Sequence, residues 1–211
     1  MHTKGFTEYS MVWSLEPGVY WKNARRILQL EVLTPKLVEA QAHIRELKVT
    51  EMVDSLRERQ GEVVRLRDAV RRTLFGVLVR LMFSSEVARN EMEDLLCTDT
   101  TTTTIEWAMA ELIKNKPILE NLRSELEREI GEDRVRESLL PHLHYLHACI
   151  KETQRLHPAV PLLVHEALQT CETMAYTIPK GCHVLVNVWA IGRDPETWED
   201  PLTFFDGMQR K

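Results

Sequence analysis

The sequence predicts a mainly α-helical protein with a small β section at its C-terminal end, an α+β class. Two observations carry this. Apolar residues recur at helical spacing in successive runs between Trp21 and Leu156. From Pro158 onward that pattern gives way to proline-rich turns and short β-branched segments. The length of 211 residues implies one domain or two, at about 150 residues per domain. With 44% apolar and 28% charged residues, the chain has an ordinary globular composition and can bury a core.

Taken in order, the first twenty residues are irregular, with a turn at Pro17-Gly18. Trp21, Ala24, Ile27, Leu28 and Val32 then share a helical face. Thr34-Pro35 interrupts this run, and Pro35 suits the first turn of a new helix. Leu37, Ala40, Ile44, Leu47, Val53 and Leu56 make that helix amphipathic, and Gly61 ends it. A third helix runs from about Val63 to Phe83. Its first half is basic through Arg65, Arg67, Arg71 and Arg72, the pattern of a solvated face. After a break at Ser84-Ser85, a long helix is predicted from about Glu91 to Asn115. Pro117 opens another, with Ile118, Leu122, Leu126 and Ile130 on one side and Gly131 as its stop. Residues 139–156 make one more helix, closed before Pro158. In the last section, Tyr176-Thr-Ile precedes a turn at Pro179-Lys180-Gly181, and Val184-Leu-Val-Asn-Val-Trp reads as a strand. Arg193-Asp194-Pro195 and Glu199-Asp200-Pro201 are loop punctuation.

The net charge of -5 gives no phosphate-binding surface, so nucleic-acid binding is disfavoured. The four cysteines, Cys97, Cys149, Cys171 and Cys182, form no C-x-x-C pair and read as reduced thiols. The most apolar stretch, Leu74 to Phe83, is interrupted by Arg80 and is too short for a span, which needs about 20 apolar residues. No apolar h-region follows the first methionine, so no signal peptide is expected. On these grounds the residues read as soluble.

Three segments point to chemistry. Thr98-Asp99-Thr100-Thr101-Thr102-Thr103-Thr104 lies within a predicted helix, yet Thr costs roughly 0.6 kcal/mol per position against Ala there. A hydroxyl can bond back one turn and bend a helix, and an acid beside it can hold a water or relay a proton. A threonine-rich helix start with Asp99 as cap is the other reading. Glu152 and Arg155 share a helix face just before the proline-closed end, either as a surface pair or as a buried pair pinning helix to sheet. Trp21 and Arg25 also share a face, with Arg covering Trp or both offered to a carboxylate. His142, His144 and His147 lack the carboxylate or thiol that would complete a metal set, and read as core or surface histidines. No phosphate loop, dinucleotide fingerprint, nucleophile elbow or H-E-x-x-H occurs.

In this order the three segments resemble the cytochrome P-450 family of haem-thiolate monooxygenases. Trp21-x-x-x-Arg25 is similar to the W-x-x-x-R of its C helix. Thr98-Asp99-Thr100-Thr101 is similar to the second half of the (A/G)-G-x-(D/E)-T-(T/S) motif of its I helix. Glu152-x-x-Arg155 is similar to the E-x-x-R of its K helix. Thr104-Ile-Glu-Trp-Ala-Met-Ala-Glu-Leu and Val186-Asn-Val-Trp-Ala-Ile-Gly-Arg-Asp-Pro resemble plant microsomal members that hydroxylate terpenoids, phenylpropanoids and alkaloids. The resemblance covers about residues 18–205.

The resemblance implies a partial cytochrome P-450 fold forming one domain over 1–211, helical from about 18 to 157 and β-and-loop from 158 to 211. It implies haem as cofactor, with Trp21, Arg25 and His165 at its propionates. Asp99 and Thr100 would deliver protons for O–O cleavage, and Glu152 and Arg155 would lock the K helix to the loop leading to the haem ligand. It implies a small lipophilic substrate, an NADPH-cytochrome reductase as electron donor, and the cytosolic face of the endoplasmic reticulum. An anchorless chain would instead be cytoplasmic.

The chain also departs from the pattern. Neither P-E-R-F nor the F-x-x-G-x-R-x-C-x-G loop with its axial Cys is recognisable, so no metal ligand is assigned. The resemblance leads one to expect that the roofing F and G helices, the B-helix region and the N-terminal anchor are missing from these residues. Leu96-Cys97 stand where small residues leave room for dioxygen, and a proline expected between Val164 and His165 is absent. These residues are therefore expected to be inactive by themselves. The alternatives are a haemless, non-catalytic helical fragment or interaction protein from a truncated gene, and a haem carrier ligated by His165 or His157.

Overall fold

A computed structural model describes residues 18–83, 99–131 and 135–205. Helix α1 spans Val19–Ile27 and continues into a π-helical turn over Leu28–Val32. Lys22, Arg25 and Arg26 are exposed along it, as the amphipathic pattern requires. Helix α2 (Pro35–Ala40) opens with proline in its first turn, and the Thr34 hydroxyl accepts the Leu37 N–H at 3.3 Å.

The single helix predicted from Pro35 toward Gly61 is two. The chain leaves helical geometry at Gln41 (φ -93°, ψ 4°), and α3 begins at Ala42 and runs to Glu58. The break frees the Val38 carbonyl, to which Arg45 donates at 2.6 Å. Helix α4 covers Leu66–Phe83 and α5 covers Asp99–Lys114. The predicted start of the long helix near Glu91, the break at Ser84-Ser85 and the Leu96-Cys97 pair lie outside the described residues. Helix α6 (Lys116–Ile130) stops at Gly131, whose φ of 63° suits a residue without a Cβ.

The helix predicted over 139–156 also divides. Glu137–His142 is a 3-10 turn containing Pro141, and α7 begins only at His144, ending at Leu156. Proline cannot donate the hydrogen bond that an α-helical continuation needs.

The β section holds two small antiparallel sheets. β1 (Leu162–Glu166) pairs with β4 (His183–Asn187), with Leu162 opposite Asn187 and Glu166 opposite His183. β2 (Cys171–Thr173) and β3 (Tyr176–Ile178) form a hairpin. The strand predicted through Trp189 ends at Asn187. The Asn187 side chain accepts the Ala190 N–H at 3.0 Å and starts the short helix α8, Val188–Ile191.

Helix α3 packs on α4, α4 on α5, and α5 on both α6 and α7, while α8 rests on β1. The core at the α5–α6–α7 junction is Leu112, Leu122, Tyr145 and Cys149, edged by Ile118, Leu119, Leu126 and Leu146. Burying each large apolar side chain there stabilises by about 1.5–3 kcal/mol. All five residues of β1 are exposed.

Candidate functional site

The most constrained polar group among the described residues lies at the C-terminal end of α7. Glu152 and Arg155 fall one turn apart, and both side chains are buried, at 3% and 5% exposure. Arg155 Nε donates to Glu152 Oε2 at 2.9 Å, and Nη2 donates to Oε1 at 2.6 Å. The remaining N–H groups reach the carbonyls of Gly192 (2.6 Å), Pro201 (2.8 Å) and Thr203 (2.9 Å). All five guanidinium donors are thus satisfied, which a buried arginine needs. The guanidinium carbon also sits 4.8 Å from the Trp198 ring centre. Glu152 Oε1 accepts the Phe205 N–H at 3.1 Å. A helix end is therefore tied to a loop that begins some forty residues later. Of the two sequence readings for this pair, the exposed one does not hold.

Several members of this group carry no signal in the local sequence pattern. Gly192 is needed because a Cβ there would collide with the Arg155 carbonyl oxygen. Trp198 Nε1 donates to the Ile191 carbonyl at 3.0 Å. Arg193 donates to the Leu156 carbonyl and stacks on Trp189 at 4.3 Å. Burial, and after it the charge of Arg155, lowers the Arg193 pKa from the ordinary guanidinium value. The Thr153 hydroxyl, fully buried, donates to the Cys149 carbonyl at 2.8 Å.

The start of α7 is held by another helix. Buried Glu125 of α6 accepts the N–H groups of Tyr145 (2.7 Å) and Leu146 (2.9 Å). A carboxylate at a helix N-terminus satisfies donors that the helix cannot, and faces the positive end of its dipole. In the turn that precedes α7, Glu137 forms a two-point ion pair with Arg45 of α3, at 2.5 and 2.6 Å. The hydrogen bond to Glu137 raises the Arg45 pKa against the opposing effect of burial.

The other candidate residues stand apart from this clamp. Asp99 and Thr100 occupy the exposed first turn of α5. From Thr100 to Thr104 the threonine run is helical, Thr102 is fully buried, and the Thr104 hydroxyl bonds back to the Thr100 carbonyl at 2.9 Å. The Arg25 guanidinium lies 5.2 Å from the Trp21 ring centre on α1, with Arg25 exposed. His165 is exposed on β1, opposite Val184. His142, His144 and His147 are all exposed, and His147 Nε2 lies 3.0 Å from the Leu140 carbonyl.

Among the described residues the thiols lie in the core or on the β section, and none lines the cavity between α3 and α4. A haem-thiolate centre needs an accessible thiolate facing the cofactor. Cys149 is 2% exposed and packed among Leu112, Leu122 and Tyr145. Cys171 and Cys182 are exposed in the β section, and Cys97 lies outside the described residues. A cavity of about 210 Å³ between α3 and α4, lined by Lys48, Met52, Ser55, Arg72, Thr73 and Gly76 among others, contains neither a cysteine nor any candidate cofactor residue. Exposed side chains that suit propionates are present in Arg25 and His165, and the two exposed thiols lie in the same β section as His165.

Comparison with known proteins places this geometry. The family model described as Cytochrome P450 matches residues 97–205, the stretch from α5 through the clamp. Corytuberine synthase of Coptis japonica is 34% identical over 96% of this chain and 60% of its own length. The (S)-N-methylcoclaurine 3'-hydroxylase-like protein of Papaver somniferum is 30% identical over 95% of this chain and 68% of its own length. The chain spans only 60% of the length of corytuberine synthase. That alignment runs over 294 residues, more than the 211 present here, so the relative carries internal sequence that this chain lacks. A zebra fish cytochrome P450 solved with progesterone has the same fold, with a TM-score of 0.78 over 88% of this chain and 66% of that one, at 22% identity. The family match, the plant relatives and the shared fold agree: the chain belongs to the cytochrome P450 family.

Proposed function

We propose that this chain supplies the helix clamp and the proton-delivering helix of a haem-thiolate monooxygenase that hydroxylates a small lipophilic plant metabolite. The single observation that carries this reading is the fully satisfied Glu152–Arg155 pair, tied to the carbonyls of Gly192, Pro201 and Thr203. Such a clamp fixes the path of the chain that follows the β section, where a cofactor-binding loop has to be held in one geometry. In this reading Asp99 and Thr100 move protons at the exposed turn of α5. Trp21, Arg25 and His165 offer an indole, a guanidinium and an imidazole to carboxylates of the cofactor. A terpenoid, a phenylpropanoid or an alkaloid would suit as substrate. The name of the Papaver somniferum relative favours a substrate of the N-methylcoclaurine type. An NADPH-cytochrome reductase would supply electrons, and the working site would be the cytosolic face of the endoplasmic reticulum. The 211 residues would act as one partial domain.

The second reading is a haemless, non-catalytic chain. It is favoured by the placement of the described cysteines, one sealed in the core and two in the exposed β section. We infer that these 211 residues alone do not hydroxylate. The test is an absorption spectrum of the purified chain with added haem, reduced and exposed to carbon monoxide. A histidine-like or free-haem spectrum is expected. A strongly red-shifted Soret band would mean that one of the four cysteines ligates the iron, and the chain would then have to be assayed as an oxygenase.

A further inference from the structure

The contact between α5 and α7 contains a second polar group, separate from the clamp. His157, the residue that caps the C-terminal end of α7, lays its imidazole flat on the Trp107 indole of α5, with ring centres 3.9 Å apart and planes within 1°. Its Nε2 lies 2.8 Å from Glu111 Oε1, one turn further along α5. The Glu111 and His157 side chains are only 10% and 17% exposed. The other Glu111 oxygen accepts from Asn115 Nδ2 at 3.1 Å, so the carboxylate is held in place. His157 is itself fixed, because its N–H bonds to the Thr153 carbonyl at 2.7 Å and Pro158 follows.

We propose that Glu111, His157 and Trp107 form a proton-controlled latch, in which a charge on His157 tightens the seating of α5 on α7. A neutral imidazole gives Glu111 one ordinary hydrogen bond. An imidazolium gives it a charge-assisted bond and places a cation against the indole face. Both changes act on the same interface, and histidine is the side chain that changes charge between about pH 5 and 8. Other charges stand on the elements packed here: Glu106 of α5, next to Trp107, pairs with Arg67 of α4 at 2.5 Å. On α5, Lys114 Nζ is 3.9 Å from Glu111. On α7, Arg155 is committed to Glu152 and to backbone carbonyls. After α8, Arg193 holds the Leu156 carbonyl. The latch sits two residues beyond Arg155 and on the helix that begins with Asp99-Thr100. If the function proposed above holds, His157 is a positioning residue that sets how the proton-delivering helix meets the clamp.

The test uses the full chain and needs no haem, so its result is separable from the carbon monoxide spectrum. Trp107 emission, taken as the difference between the chain and Trp107→Phe, is followed between about pH 5 and 8, with hydrogen exchange of α5 amides measured in parallel. Emission is expected to fall as His157 gains its proton, and α5 protection to rise several-fold with the same midpoint. His157→Gln keeps a donor to Glu111 and should abolish both changes. Glu111→Gln should keep the emission change and lose the rise in protection. This second variant decides the matter if His157→Gln does not fold. An emission step that survives in His157→Gln, or α5 protection that stays flat in the unsubstituted chain while its emission changes, would overturn the latch.

Discussion

Gly192 passes so close to Arg155 that a side chain of any size at position 192 would strike the Arg155 carbonyl oxygen. Its own carbonyl receives the Arg155 guanidinium at 2.6 Å. The α7 terminus and the segment after α8 therefore touch backbone to backbone, and the arginine closes the contact from the side. Gly192→Ala is expected to lower stability by about 1–3 kcal/mol, the usual cost of forcing atoms into a packed site. Urea unfolding should show the loss as a lower midpoint with an unchanged slope.

Arg155 cannot be replaced by another cation. Arg155→Ala leaves Glu152 buried without its partner, which typically costs about 3–5 kcal/mol. Three carbonyls also lose their donor. Arg155→Lys keeps the charge but offers at most three donors on a flexible stem. It should fall between wild type and Arg155→Ala in urea midpoint. Equal stability of the lysine variant and wild type would show that the three carbonyl contacts contribute nothing.

Glu125 anchors a helix that is not its own. Glu125→Ala would strip the acceptor from the N–H groups of Tyr145 and Leu146. A loss of about 1–3 kcal/mol is expected, because buried donors would be left unsatisfied. Glu125→Gln should lose less, since an amide oxygen still accepts but lacks the charge that favours a helix N-terminus. Amide exchange at positions 145 and 146 would rise first and reports the cap directly.

The β2–β3 hairpin turns through Met174 (φ 48°) and Ala175 (φ 63°), both in the left-handed region. Side chains with a Cβ cost about 1–2 kcal/mol each in that geometry. Asn-Gly is the pair best suited to such a two-residue turn. Met174→Asn with Ala175→Gly should raise the thermal midpoint. Met174 is 90% exposed, so its removal gives up little packing.

Much of the helical body was legible in the sequence because its period is local. Apolar spacing outlines α4, α6 and the later part of α5, and Pro35, Pro117 and Gly131 mark boundaries by fixed backbone preferences. The misread boundaries depend on contacts beyond the local window. Gln41 is an ordinary helix former, yet the chain breaks there and opens the Val38 carbonyl to Arg45, which also reaches across to Glu137. Asn187 caps α8 through the Ala190 N–H, three residues on, and the apolar run on both sides of it made the strand look longer.

The candidate site divides in the same way. The sequence by itself determined the mainly helical class, the family resemblance, and the pairing of Glu152 with Arg155 and of Trp21 with Arg25, because residues one turn apart must share a helix face. Only the tertiary structure decided that the first pair is buried. It also brought the carbonyls of Gly192, Pro201 and Thr203 to Arg155, made Glu125 the cap of α7, and stacked His157 on Trp107. The reason is physical. Periodicity fixes which residues lie on one face of an element, whereas burial and hydrogen-bond partners depend on which distant backbone arrives there, and no local pattern encodes that.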